Sequence, residues 1–200
     1  MIPRSFILNI IMASSLLFIS FTWQPLSFWM LFSISYVLLI LIALLQSKPV
    51  IPLHHQHGWL VAFIGGIGIY LLFAIGKAFL ILFQIPLLES LEQLYQLVQP
   101  NSWIQWLCLF IIIIPGEELF WRYYVLNRAL VQFSPQHSIL LATLLYSAVH
   151  LFSGSILLVL AAFIAGFIWN VLYYYTKNIF AVIWSHIVFN ICLLILFPLL

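Results

Sequence analysis

What most constrains this chain is a succession of apolar runs, each close to the roughly 20 residues a helix needs to cross a hydrocarbon layer. They lie at roughly 5–22, 27–46, 59–83, 103–126, 138–152, 155–175 and 179–199, parted by short polar or proline-containing breaks. Within a bilayer each backbone N–H and C=O must be satisfied inside its own segment, so runs of this kind become helices. The expected fold is an all-α polytopic membrane bundle of about seven transmembrane helices, forming a single integral membrane domain over residues 1–200. Hydrophobic residues are 66% and charged residues 5% of the chain, which removes a soluble globule, a disordered segment and a coiled coil from consideration. With six Lys and Arg and a net charge of +2 there is no basic surface for nucleic acid. Cys108 and Cys192 both sit in apolar runs and give neither a disulfide framework nor a zinc-knuckle spacing.

The loop cations alternate. Arg4 precedes the first run, Lys48 follows the second, Arg128 the fourth and Lys177 the sixth, while the intervening loops carry neither Lys nor Arg. Holding the positive loops in the cytoplasm predicts a cytoplasmic N-terminus and a C-terminus outside. The segment 86–99 has Glu89, Glu92, Gln93, Gln96 and Gln99 among leucines at helical spacing, which predicts an amphipathic helix on the surface. Gly154 marks a break after the fifth run, as a bend inside the protein or as its end. His54, His55 and His57 fall in a cytoplasmic loop and read as a solvated tract, far in depth from the polar residues described next.

An ionisable side chain at membrane depth costs at least about 2.5 kcal/mol, so each one needs an exit to the interface or a role. Glu117, Glu118 and Arg122 lie inside the fourth run, among Leu119, Phe120 and Trp121. At helical spacing Glu118 and Arg122 share a stripe and should pair, whereas Glu117 points elsewhere and is left for another helix or for water. The fifth run carries Tyr146 and His150 one turn apart, and the seventh carries His186 and Asn190 one turn apart. Counted from the cytoplasmic ends, Glu117, His150, His186 and Asn190 fall roughly 11 to 19 Å deep. Three helices therefore deliver polar groups to one layer, and these four residues are expected to line one cavity, entered from the face of the cationic loops.

In this order the motifs resemble the CPBP family of intramembrane proteases, named for CaaX proteases and bacteriocin-processing or immunity proteins. The family pattern is Glu-Glu-x-x-x-Arg, then Phe-x-x-x-His, then His-x-x-x-Asn. Here it is matched by Glu117, Glu118 and Arg122 in EELFWR, Tyr146 and His150 in YSAVH, and His186 and Asn190 in HIVFN. The similarity covers about 103–197, a four-helix catalytic core, and runs one to three resemble nothing specific. Tyr146 stands where the family usually has Phe, a mild change if the ring only packs. Tyr123 replaces a small residue and on this reading narrows the cavity. The resemblance implies cleavage of a peptide bond in a membrane-associated protein or peptide within or beside the lipid bilayer. Glu117 and His150 would activate water, His186 and Asn190 would stabilise the oxyanion, and Glu118 with Arg122 would support the helix.

The chemistry agrees with that division, since amide hydrolysis needs a base for water and donors aimed at the developing oxyanion. Metal catalysis is the near variant, with Glu117, His150 and His186 as a two-His, one-carboxylate site for a divalent ion such as zinc. A haem held between His150 and His186 is opposed by a depth mismatch of roughly 8 Å. The remaining alternative is a non-catalytic transporter, immunity or scaffold protein using the same polar cluster for binding.

Overall fold

The computed structural model describes residues 3–47 and 58–199, so Lys48 and the His54, His55 and His57 tract lie outside the described residues. Helix α1 covers Arg4–Trp23, α2 Phe28–Gln46, α3 Gly58–Leu82, α5 Trp103–Leu130, α7 Ile156–Thr176 and α8 Ile179–Leu196. Between them come α4, Leu88–Val98, and α6, Pro135–Val149. There is no strand among the described residues. Among the described residues, six helices are long and apolar enough to cross a membrane. That count is one fewer than expected, because the fifth run forms an α-helix of only 15 residues, about 22 Å long, before a 3₁₀ turn at His150–Ser153 takes over. The break at Gly154 is the end of that turn.

The helix ends follow from local chemistry. Ser102, Ser155 and Asn178 each accept a bond from a backbone N–H of the turn they precede, and Pro135 opens α6 where no N–H is needed. Helix α4 forms where the Glu and Gln spacing places it. Its Tyr95 hydroxyl donates to the Leu193 carbonyl and accepts from the Leu199 N–H, so α4 is tied across the end of α8.

Helix α5 departs from regular geometry. Two stretches, Cys108–Ile113 and Glu118–Leu126, are wound as wide π turns on either side of Pro115 and Gly116. Such turns occur frequently at functional sites. Here they flank the residues of the first motif. Gly116 lets α2 come close: a Cβ there would lie 2.9 Å from Cβ of Tyr36. Phe120, Trp121, Tyr124, Val125 and Leu126 pack around the same helix with almost no exposure, making α5 the axis of the bundle.

Candidate active site

The buried layer is built around the two adjacent carboxylates of α5. Glu118 and Arg122 are fully buried, and Arg122 Nη1 donates to Glu118 Oε1 at 3.2 Å, as the helical spacing predicts. The same carboxylate oxygen accepts from His186 Nδ1 at 2.7 Å. This was not legible from α5 alone, because it depends on how α8 is rotated against it. Glu118 therefore anchors two partners on two helices. Its Oε2, together with Nε and Nη2 of Arg122, has no hydrogen-bond partner. The guanidinium lies instead over aromatic faces, 4.4 Å from the Tyr146 ring centroid and 5.4 Å from that of Trp169.

Glu117 is directed away from that pair, into the site. Its Oε1 accepts from the Tyr36 hydroxyl at 2.9 Å and its Oε2 from the Tyr146 hydroxyl at 3.3 Å. His186 Nε2 lies 3.8 Å from Glu117 Oε2, so the imidazole sits between the two carboxylates. Trp169 stacks on the His186 ring at 3.9 Å between centroids, fixing its plane. His150, the first residue after α6, directs Nδ1 at the Tyr146 carbonyl at 2.7 Å. A carbonyl can only accept, so Nδ1 carries a proton, and in the neutral ring Nε2 keeps its lone pair. Asn190 donates through Nδ2 to the His186 carbonyl at 3.2 Å.

Glu117, Tyr146, His150, His186 and Asn190 all line one cavity of about 160 Å³. Its other walls are mostly apolar and include Phe21, Phe32, Leu94, Leu158 and Leu194. Those residues belong to the end of α1, the first half of α2, helix α4, the start of α7 and the end of α8. The cavity thus runs from the polar layer toward the face of the 24–27 turn and α4, opposite the loops of Arg128 and Lys177. Entry from the cationic face is therefore corrected. The helices run antiparallel, and their motif residues point into the half of the bundle away from those loops.

Several residue readings change with the geometry. Tyr146 does more than pack, since its hydroxyl reaches Glu117, its ring carries Arg122 and its carbonyl orients His150. Tyr123 is not among the cavity-lining residues, so it does not narrow the site. Helices α1 to α3 are not bystanders, since Phe21, Phe73 and Tyr36 come from them. Tyr36 was missed; its one signal is that it is the single tyrosine of the run 27–46. Trp169 was missed as well. Neither Cys108 nor Cys192 lines the cavity.

Among the described residues, the metal-type donors that come together are those of Glu117, Glu118 and His186, with ligating atoms within 4.8 Å of one another. This trio differs from the expected one, with Glu118 in place of His150. Glu118 Oε1 already takes two donors while Oε2 is unpartnered, and the Arg122 guanidinium, 3.2 Å from Oε1, opposes a dication on that carboxylate.

Fold and site together define a multi-pass integral membrane protein with a buried Glu, His and Asn layer at the floor of an apolar cavity. Residues 99–192, just under half of the chain, match the family model described as Type II CAAX prenyl endopeptidase Rce1-like, and the three motifs of the CPBP resemblance fall within that match. Neither the curated proteins nor the solved structures gave a significant match to the chain. The buried cluster of Glu117, Glu118 and His186 fits a protease family of this kind.

Proposed function

We propose that the protein is an intramembrane endopeptidase hydrolysing a peptide bond in a membrane-associated protein or peptide. The observation that carries this reading is the convergence of Glu117, His150, His186 and Asn190 on one largely apolar cavity. A water between the Glu117 carboxylate and Nε2 of His150 gives a proton to Glu117 as its oxygen attacks the scissile carbonyl carbon. The proton then passes to the leaving amine as the C–N bond breaks. His186 and the second N–H of the Asn190 amide face the developing oxyanion. Glu118 and Arg122 hold His186 and the α5 backbone in register. Phe21, Phe28, Phe32, Phe73 and Phe189 line the cavity, which suits an isoprenoid chain or an apolar peptide segment beside the reacting bond. A peptide with a prenylated C-terminal cysteine motif is accordingly the first substrate to try, in keeping with the family's description.

The test compares native protein with Glu117→Gln, purified in detergent and assayed on a farnesylated fluorogenic peptide. The variant keeps the side-chain volume and removes the base, so hydrolysis should fall at least about 10²-fold with the folded yield unchanged. Equal turnover by both would overturn the reading. If neither cleaves such peptides, and Glu117→Gln keeps the protein's phenotype in cells, the non-catalytic transporter, immunity or scaffold role gains instead.

The loop cations favour a cytoplasmic N-terminus and an outer C-terminus, which puts the cavity mouth on the outer face. Single cysteines at the exposed Leu26 and Phe133 positions report this directly. Leu26→Cys should label from outside intact cells, and Phe133→Cys only after permeabilisation. The reverse pattern turns the molecule over.

A further inference from the structure

Tyr36 and Tyr146 approach Glu117 from two different helices, and each takes one oxygen. The Tyr36 hydroxyl is 2.9 Å from Oε1 and the Tyr146 hydroxyl 3.3 Å from Oε2, with all three residues buried. Both contacts depend on space made for the rings. A Cβ on Gly116 would come within 2.9 Å of Cβ of Tyr36, and a Cβ on Gly166 within 2.7 Å of Cδ1 of Tyr146. Tyr146 lines the cavity, whereas Tyr36 stands behind the carboxylate with no exposure. A carboxylate on a membrane helix has several rotamers, and two donors at fixed positions select one of them.

We propose that Tyr36 and Tyr146 form a phenol clamp that positions Glu117, holding its carboxylate in the one orientation that faces His150 and the cavity. The clamp rests on the endopeptidase reading for its consequence, though not for its existence. Both tyrosines act through Glu117 and are positioning residues. Tyr36 lies outside the matched segment 99–192, so the clamp makes α2 part of the site. At position 146 the resemblance leads one to expect a phenylalanine. The Tyr146 hydroxyl is paired on Glu117 with a second hydroxyl from α2.

The test uses Tyr36→Phe and Tyr146→Phe in the full-length protein. Each keeps the ring, and in Tyr146→Phe the aromatic face under Arg122 remains. Losing one hydrogen bond to a charged group should lower kcat about tenfold in each variant, and in Tyr36→Phe, whose ring is not part of the cavity wall, KM should change less than twofold. In a Glu117→Gln background neither substitution should lower the residual rate further, since the group they position has lost its function. A structural role alone would lower folded yield and affect both backgrounds equally. The second readout is independent of turnover: infrared difference spectra of purified native protein against Glu117→Gln identify the Glu117 carboxyl bands. Those bands should shift in both tyrosine variants. If native protein cleaves nothing yet the bands shift, the clamp stands and the endopeptidase reading falls. If the bands do not move, or if kcat falls equally with and without Glu117, the clamp is overturned. Should one variant fail to fold, the other, on a separate helix, carries the same test.

Discussion

Two polar clusters, one partly and one fully buried, occupy opposite halves of this bundle, and they are built differently. Toward the cationic loops, Asn9 Nδ2 bonds Gln46 Oε1 at 2.8 Å and the Tyr124 hydroxyl at 2.6 Å, and Arg128 Nη2 bonds the Gln46 carbonyl at 2.6 Å. Asn127 Nδ2 joins the Tyr123 carbonyl and the Tyr173 hydroxyl, both at 2.8 Å. None of these side-chain atoms is among those buried without a partner. In the other half, Glu117, Glu118, Arg122 and His186 are ionisable, three of the Glu118 and Arg122 atoms are unpartnered, and a cavity adjoins them. The amides and phenols of the first cluster are satisfied, with only Ser47 Oγ unpartnered beside Gln46, whereas a half-satisfied charged layer is costly and persists where it has a task. On the proposed function, the contrast separates what holds the fold from what acts.

The largest effect that could break this contrast is on stability, at Glu118. Glu118→Leu strands Arg122 as a buried cation and takes the partner from His186, so the loss should be about 3–5 kcal/mol, read as unfolding in detergent mixtures. Replacing Arg122 by Met at the same time should return part of that loss, since no unpaired cation is left. A double variant no more stable than the single one would show that the pair does not carry the layer. Next is Asn9→Ala, which removes the donor to Gln46 and Tyr124. A loss of about 1–3 kcal/mol is expected, with turnover per folded molecule unchanged. A fall in kcat without loss of stability would instead make the cationic half part of the chemistry. The smallest effect expected is that of a chelator. Because Arg122 and His186 already occupy Glu118, dialysis against EDTA should leave the rate unaltered, and a rate restored only by added zinc would assign the Glu117, Glu118 and His186 trio to a metal.

Much of the site could be read from local spacing. The Glu118 and Arg122 pair is a contact within one stretch of helix, and each histidine was flagged because a polar group in an apolar run needs a reason. What was not legible lies between helices. Nothing in the spacing of α8 gives Glu118 to His186, and nothing in α2 marks Tyr36 as the partner of Glu117. The π turns of α5 also alter the angle between successive side chains, which a regular helical wheel around Glu117 does not capture.

The sequence by itself determined the solvent, the element type and the carboxylates, histidines and asparagine of the polar layer, though not its Tyr36 and Trp169. An apolar run of about 20 residues has one low-energy state in lipid, and buried charges are too costly to be accidental. Tertiary structure decided which carboxylate anchors His186, which tyrosines hold Glu117 and toward which face the cavity runs. These depend on the rotation and depth of each helix against its neighbours, set at close approaches such as Gly116 against Tyr36 and Gly166 against Tyr146. Packing in lipid turns on such contacts between small residues and large ones, and no single helix carries the information to set them.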